Sequence, residues 1–121
     1  MIVVDTSVWV DHLRQGDARL GGLLEAGSVL IHPFVVGEIA LGSLSDRRQV
    51  LRLLQNLPAV TAASHDEVLY FIDSNALFGL GLGHVDIHLL AATQLTPGST
   101  LWTRDARLHC SADRLGLAAG P

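Results

Sequence analysis

The chain has 121 residues, a formal net charge of −4 and a single cysteine. Its length predicts one domain spanning residues 1–121, and its acidic balance excludes a protein that binds nucleic acid through overall positive charge. One cysteine excludes an intramolecular disulfide, and with no basic leader segment and no apolar run near the ~20 residues that cross a bilayer, we expect a cytoplasmic protein with no membrane association.

Short apolar runs and helical segments alternate along the chain. Runs rich in β-branched residues predict strands at residues 2–4, 29–31, 59–61 and 100–103. Apolar spacing and end signals predict helices at residues 8–13, 18–26, 34–44, 46–57, 65–78, 85–95 and 106–115. We expect Ser7 to cap the first of these helices, and Ser64 with Glu67 to form a capping box on the fifth.

This alternation predicts an α/β fold, in which a central parallel sheet of four to five short strands has helices on both faces. In such sheets the functional site lies outside the carboxyl ends of the strands. Asp5 directly follows the first predicted strand, and Asp105 comes just after the last. We therefore expect these two carboxylates to lie at the same edge of the sheet.

Glu38 occupies an unusual position on its predicted helix. It comes four residues after Phe34 and three before Leu41, so it shares a face with apolar side chains. A glutamate buried on such a face is rare unless it is paired or bound to a cation. No arginine lies within one helical turn of it, so we expect Glu38 to be an inward-facing, functional carboxylate.

Each of the other acids also has a purely structural interpretation. Asp5 and Asp105 could simply cap helices, although Ser7 is the better-placed cap for the first. Asp86 falls in the first turn of its helix, where the helix dipole favours a negative charge. The helical neighbours of Asp86 are mostly apolar, which favours an inward position for this side chain as well.

The argument for function depends on the four acids together. Four carboxylates at inward-facing or strand-end positions would repel one another in an empty pocket. A hard cation removes that conflict, and Mg²⁺ or Mn²⁺ prefers oxygen ligands. One or two such ions could activate water and hold a phosphate group. The sequence therefore predicts a metal site that is formed by Asp5, Glu38, Asp86 and Asp105.

Four segments of the chain resemble the signatures of PIN domains, and in particular those of the VapC toxins of bacterial VapBC toxin–antitoxin pairs. These segments read VVDTSVWVDHLR, HPFVVGEIALGSL, GHVDIHLLAATQL and TLWTRDARL. The resemblance covers nearly the whole chain, in the same order and at the same length. It implies a Rossmann-like PIN domain and a Mg²⁺- or Mn²⁺-dependent endoribonuclease that cleaves RNA, with tRNA, rRNA and mRNA as the candidate substrates.

The resemblance also assigns residues and partners. It places the catalytic and metal-binding acids of the family on Asp5, Glu38, Asp86 and Asp105, and its supporting hydroxyl groups on Thr6 and Thr103. It implies a homodimer and a cognate VapB-type antitoxin that holds the enzyme inactive. A covered apolar surface of this kind would account for the high mean hydropathy of +0.38.

Arginine and histidine residues near the acids are candidates for substrate contact. Arg104 and Arg107 flank the fourth acid, and Arg14 lies on the first predicted helix. We expect these three to contact RNA phosphates. His84 and His88 flank Asp86 but are not part of the general family pattern, so we interpret them as local variation, with metal ligation or substrate contact as the alternative.

Other classes of protein also place aspartates at strand ends or share the fold of PIN domains. Receiver domains and haloacid-dehalogenase phosphatases also place aspartates at strand ends, but both need a lysine near the phosphoryl group, and all 8 basic residues here are arginines. A PIN-fold scaffold without catalysis and a structure-specific DNA nuclease remain as alternatives, because no motif in the sequence recognises the 2′-hydroxyl of RNA. The four intact acids argue against the scaffold.

Overall fold

A computed structural model describes residues 1–120, so Pro121, the last residue of the predicted domain, lies outside the described residues. The strands are β1 (Ile2–Val4), β2 (Val29–Leu30) and β3 (Thr100–Trp102). The helices are α1 (Thr6–Gln15), α2 (Ala18–Glu25), α3 (Pro33–Ala40), α4 (Arg47–Gln55), α5 (His65–Ser74), α6 (His84–Leu95) and α7 (Ala106–Arg114).

The strands form a parallel sheet in the order β2-β1-β3. In the register of the sheet, Val3 of the central strand pairs with Leu30 on one side and Leu101 on the other. All three side chains are buried. A short, uniformly apolar run is typical of a strand that is covered on both faces, which is why these segments pair at the centre of the molecule.

The number of strands differs from the prediction. The expected sheet of four to five strands is wrong for residues 1–120, which contain three strands and two isolated parallel bridges. The predicted strand at 59–61 pairs only at Ala59, with Ile31. The amide of Val60 donates to the carbonyl of Ile31, and the next bond of the ladder would need an amide at residue 33, which is Pro33. The second bridge joins Leu101 to Ala118.

The helices cover both faces of the sheet. Parallel crossovers are right-handed, so the path from β1 to β2 and on to Ala59 puts α1 to α4 on one face. The return to β3 and Ala118 puts α5 to α7 on the other. Contacts agree with this division, since α3 packs against α1 and α4, whereas α6 packs against α5 and β3. The direction of the path reverses between β1 and β3, where parallel sheets commonly bind ligands.

Two of the predicted helix ends have clear outcomes. The capping box of Ser64 and Glu67 is confirmed. The prediction that Ser7 caps the first helix is wrong. The helix α1 begins at Thr6, two residues before the predicted start at residue 8, and Asp5 is its N-cap. The side chain of Ser7 makes other hydrogen bonds, described below.

None of the helices in the described range is long and apolar enough to span a membrane.

Candidate active site

Asp5 is the most buried of the predicted site residues, with 6% of its surface exposed. It directly follows β1, and its amide donates to the carbonyl of Trp102 in β3 at 2.9 Å. This bond holds the carboxyl ends of the two strands side by side. The backbone therefore fixes the position of Asp5 independently of the contacts of its side chain.

Hydroxyl groups surround one oxygen of this carboxylate. Oδ2 of Asp5 accepts hydrogen bonds from Oγ of Ser7 at 2.6 Å and from Oγ1 of Thr103 at 2.8 Å, and a longer one of 3.4 Å from the amide of Ser7. Buried polar groups are hydrogen-bonded in most proteins, and these donors satisfy Oδ2 of the buried side chain. They also fix the orientation of the carboxylate.

The same hydroxyl groups connect Asp5 to the segment after β3. Oγ1 of Thr103 accepts a hydrogen bond from the amide of Asp105 at 3.0 Å, and Oγ of Ser7 accepts one from the amide of Arg104 at 3.0 Å. The predicted supporting hydroxyl Thr103 thus lies between two predicted acids. Its hydrogen bonds set the position of Asp105 relative to Asp5.

Ser7 was missed as a site residue because the sequence argument used it as a helix cap. The structure makes it a hydrogen-bonded link between Asp5 and the backbone of Arg104. The signal that could have found it is its position two residues after a strand-end aspartate, where a hydroxyl can turn back to the carboxylate.

Asp105 and Asp86 both stabilise the beginning of a helix, as their structural interpretation predicted. Oδ1 of Asp105 accepts from the amide of Leu108 at 2.9 Å, and Oδ2 of Asp86 accepts from the amide of Gly83 at 2.9 Å. Each bond uses a single carboxylate oxygen. The capping role therefore accounts for only one of the two oxygens on each side chain.

Glu38 lies at the site but is not buried, and this corrects the expectation from its apolar stripe. Glu38 is exposed, and so are its stripe neighbours Phe34, at 40%, and Leu41, at 90%. The stripe faces outward because α3 packs with the opposite side against the core, through Val35 and Ile39.

Glu38 is nevertheless held by the second predicted hydroxyl. Oγ1 of Thr6 donates to Oε1 of Glu38 at 2.6 Å. Because Thr6 directly follows Asp5 in the chain, this bond brings α3 to the start of α1. Thr6 therefore joins the carboxylate of Glu38 to the segment that follows Asp5. In a similar way, Thr103 joins the backbone amide of Asp105 to the carboxylate of Asp5.

The electrostatics of Asp86 show that the four acids are neighbours. The pKa of Asp86 is raised above its usual value, first by burial and then by the negative charges of Asp5, Asp105 and Glu38. The hydrogen bond from the amide of Gly83 opposes this rise. Three separate segments thus place their carboxylates within electrostatic reach of the fourth, as the sequence predicted.

The remaining carboxylate oxygens are the type of ligand that a hard divalent cation prefers. Within residues 1–120, each acid has one oxygen with a protein donor and a second oxygen without one. The same part of the chain contains no group of three or more acidic, histidine or cysteine side chains close enough together to hold a metal ion. Carboxylates that are set apart in this way suit an ion that keeps several of its own waters, as Mg²⁺ does.

The arginines differ in their freedom to contact a substrate. Arg104 forms ion pairs with Asp11 at 3.1 Å and with Asp17 at 2.7 Å, so its charge is already balanced. The pKa of Asp17 is lowered, mainly by the hydrogen bond from the amide of Leu20 and further by Arg104. The geometry therefore gives Arg104 a structural role and does not support the predicted phosphate contact.

Arg14 and Arg107 have no ion pair within the described residues. Arg14 lines a groove of about 360 Å³ together with Glu38 and Val10. Arg107 lies against Gly81, where an added Cβ would be 2.6 Å from its Nη1. A side chain at position 81 would displace the guanidinium from this place, and the positive φ of 76° favours glycine there.

Comparison with known proteins gives a family and two relatives. The family model described as "PIN domain" matches residues 2–114. Two curated relatives are both named "Ribonuclease VapC32", from the CDC 1551 / Oshkosh and H37Rv strains of Mycobacterium tuberculosis. Each is 48% identical to this chain over 118 residues, which cover 98% of this chain and 95% of the relative.

Proposed function

The chain belongs to the PIN-domain family, with VapC ribonucleases among its relatives, and we propose that it is a VapC-type toxin: a single-domain endoribonuclease of a type II toxin–antitoxin pair. The observation that carries the proposal is the hydrogen-bond network at the carboxyl edge of the sheet. In this network Thr103 links Asp5 to Asp105, and Thr6 holds Glu38 at the start of α1. The charges of these three acids raise the pKa of Asp86 further than burial does alone. A scaffold gains nothing from carboxylates that repel one another. A nuclease that depends on a cation gains a binding site from them.

We assign Asp5, Glu38, Asp86 and Asp105 as the catalytic acids that hold Mg²⁺ or Mn²⁺. A divalent ion supplies positive charge that offsets the acids and stabilises the developing charge of a phosphodiester under attack. The oxygen of each acid that lacks a protein donor is the one available to the ion. Four such oxygens leave room for water and for a phosphate oxygen around one ion or two.

The chain's own residues orient these acids. Ser7 and Thr103 hold the Oδ2 atom of Asp5, which leaves Oδ1 without a protein donor. Thr6 positions Glu38 from the exposed side. The pKa of Asp86 is raised by burial and by the charges of the other three acids, so the positive charge of an ion would favour its ionised form.

RNA is the proposed substrate, in line with the name of the relatives, Ribonuclease VapC32, and the cytoplasm is the proposed site of action. The net charge of −4 gives no general attraction for nucleic acid, so contacts must be local. Arg14 and Arg107 are the proposed phosphate contacts, because each lies near an acid and neither is paired within residues 1–120. The choice among tRNA, rRNA and mRNA is left to the cleavage map.

A VapB-type antitoxin and a second copy of the chain are the proposed protein partners. Large apolar side chains are exposed on several elements, and Leu41, Leu53, Tyr70 and Phe78 are each more than half exposed. Exposed apolar side chains of this size are candidates for contact with a protein partner. The groove between Arg14 and Glu38 adjoins the acids, so a segment lying there would block the proposed site.

The test is cleavage of total cellular RNA by the purified chain, in the presence of Mg²⁺, Mn²⁺ or EDTA. We expect discrete fragments with either ion, none with EDTA, and none from Asp86→Asn. Asp66→Asn is the matched control, since Asp66 is an exposed acid in the first turn of α5. Sequencing the fragment ends identifies the RNA class.

Other outcomes distinguish the alternatives. Cleavage of DNA in place of RNA would support the structure-specific DNA nuclease. No cleavage, together with no metal binding by calorimetry, would contradict the enzyme and favour the scaffold.

A further inference from the structure

Four rings form a cluster at the carboxyl edge of the sheet, beside the end of β2. His32 and Phe34 come from the junction of β2 and α3, and His84 and His88 come from the first turns of α6. Ring centroids are 5.0 Å apart for His32 and Phe34, 4.7 Å for Phe34 and His88, and 4.6 Å for His84 and His88. The ring cluster therefore bridges two helices that belong to opposite faces of the sheet.

The cluster has an inner and an outer pair. His32 and His88 are buried, at 1% and 5% exposure, and they form the inner pair. Phe34 and His84 are exposed and form the outer pair. Both outer rings stand edge-to-face with His88, at interplanar angles of 63° and 82°. The inner rings thus hold the outer rings in place while leaving them accessible to a ligand.

The outer rings lie on the same elements as two of the catalytic acids. Phe34 is one helical turn before Glu38 on α3, and residues at that spacing share a face. His84 is two residues before Asp86 in the first turn of α6. Phe34 and His84 both lie against the ring of His88, two residues after Asp86, so the outer rings meet between the two helices that carry Glu38 and Asp86.

We propose that Phe34 and His84 form a stacking surface that binds an unpaired RNA base next to the four acids. Bases of single-stranded RNA commonly stack on aromatic and histidine side chains, with little dependence on which base is present. The inference rests on the proposed ribonuclease function, and it names the contact that brings the RNA to the four acids.

The charge of the chain explains why stacking is needed. The net charge is −4, Arg104 is occupied by Asp11 and Asp17, and no arginine belongs to the ring cluster. Phosphate contacts alone therefore give this protein little attraction for RNA. A base held on two rings supplies binding that does not depend on charge, and it positions the neighbouring phosphate at the acids.

The experiment measures equilibrium binding of a fluorescent, unpaired RNA dodecamer, without divalent ions so that it is not cleaved. The parent is compared with the double variant Phe34→Leu/His84→Leu. Tyr70→Leu is the matched control, because it removes an exposed aromatic ring from α5, away from the acids. The same RNA with abasic positions throughout is the second ligand, since it keeps every phosphate and loses every stacking partner.

We expect the double variant to bind intact RNA roughly 10-fold or more weakly, since each stacked base contributes appreciably to binding. Parent and double variant should bind the abasic RNA equally, and Tyr70→Leu should bind both RNAs as the parent does. The double variant Phe34→Tyr/His84→Leu should bind intact RNA as well as His84→Leu alone does, because tyrosine keeps an aromatic ring at position 34. An unchanged affinity for intact RNA would overturn the inference, and so would an equal loss on abasic RNA.

This readout is independent of catalysis. If metal-dependent cleavage fails but the stacking difference is present, the ribonuclease proposal is wrong and base binding stands. If cleavage occurs and the stacking difference is absent, the ribonuclease stands and the stacking surface is wrong. Should the double variant fail to fold by thermal melting, His84→Leu alone carries the same comparison, because His84 is exposed.

Discussion

Two strand ends in this protein carry a buried polar side chain that caps the next helix, and their chemistry is opposite. Asp5 follows β1 and caps α1, and His32 follows β2 and caps α3 through a bond from the amide of Phe34 to Nδ1. Asp5 has three donors on one oxygen. Nε2 of His32 has no hydrogen-bond partner among residues 1–120.

The difference between the two sites is the supply of partners for a charge. Around Asp5, hydroxyl and amide donors satisfy one oxygen of the buried carboxylate. Around His32 nothing stabilises a cation: burial, and secondly the neighbouring His88, lower its pKa from 6.5 to about 4. The fold therefore surrounds one strand end with donors and excludes a positive charge at the other, with the acid pocket at the first and the ring cluster at the second.

The largest expected effect is on RNA cleavage, and it comes from changing the carboxylate at the end of β1. Asp5→Asn removes the charge but keeps an acceptor for the same hydrogen bonds, so the fold should survive. We expect RNA cleavage to fall by at least about 100-fold, comparable to the loss of a directly acting catalytic group. A single-turnover assay in Mg²⁺ measures it, and Asp66→Asn should retain the parent rate. A rate for Asp5→Asn within a few fold of the parent would contradict the assignment of Asp5.

The next effect concerns the β2 end and depends on pH. The unfolded chain binds a proton at His32 below about 6.5, whereas the folded chain does so only below about 4. The free energy of unfolding should therefore fall as the pH drops from 6.5 to 4, by on the order of 3 kcal/mol. Urea unfolding across this range measures the slope.

His32→Asn provides the control for this pH dependence. Asparagine is also a good N-cap, so it can accept the bond from the amide of Phe34 without titrating. The variant should be less stable at neutral pH, because it leaves space in the core, but its stability should depend less on pH between 4 and 6.5. A slope equal to that of the parent would show that His32 does not cause the effect.

A smaller effect tests the donors around Asp5. Thr103→Val keeps the shape of a buried side chain and removes the hydroxyl that joins Asp5 to Asp105. We expect a loss of about 1–3 kcal/mol in stability and about 10- to 100-fold in cleavage, as for other residues that orient a metal ligand. Thr93→Val is the control: its buried hydroxyl bonds only to the carbonyl of Leu89.

Stability and activity should separate between these two variants. Thr93→Val should lower the melting temperature and leave the cleavage rate near that of the parent. If Thr103→Val lowers both by no more than Thr93→Val does, the hydroxyl of Thr103 has no special role at the site.

The smallest effect concerns an acid whose charge is poorly balanced. The raised pKa of Asp86 means that the folded chain binds a proton at this acid more tightly than the unfolded chain does. Its ionisation above that pKa therefore lowers the free energy of unfolding. Asp86→Asn should raise the melting temperature by a few degrees, roughly 0.5–1 kcal/mol, at low salt without divalent ions.

Adding Mg²⁺ should reverse the order, because the ion stabilises the parent by binding to it and binds the variant less tightly. Melting curves with and without the ion measure both parts. A variant that is less stable than the parent under both conditions would mean that Asp86 is primarily a structural cap for α6.

Much of the fold could be predicted from local pattern. The alternation of apolar runs and amphipathic segments gave an α/β parallel sheet, and the β1, β2 and β3 segments lie where the β-branched runs predicted. The error was in the strand at 59–61, which pairs only at Ala59. Its ladder stops because the paired segment continues into Pro33, which has no amide hydrogen to donate, and the pairing of these two segments is not a local feature of either.

The candidate site divides in the same way. The sequence identified the four acids and the hydroxyl groups of Thr6 and Thr103, because strand ends, helix positions and family motifs are all local features. The sequence predicted that Glu38 is buried, whereas its side chain is exposed. It predicted a phosphate contact for Arg104, which forms ion pairs with Asp11 and Asp17. A helical stripe shows which residues share a face, but only the packing of α3 decides which face meets the core.

The sequence by itself thus determined the type of fold and the family, and it predicted the chemistry of the site, since these depend on residue types and their spacing along the chain. The tertiary structure alone decided that Thr6 holds Glu38, that Ser7 joins two segments, and that four rings meet at the end of β2. Those features arise between residues that are far apart in sequence, where distance and burial are set by how the helices pack on the sheet.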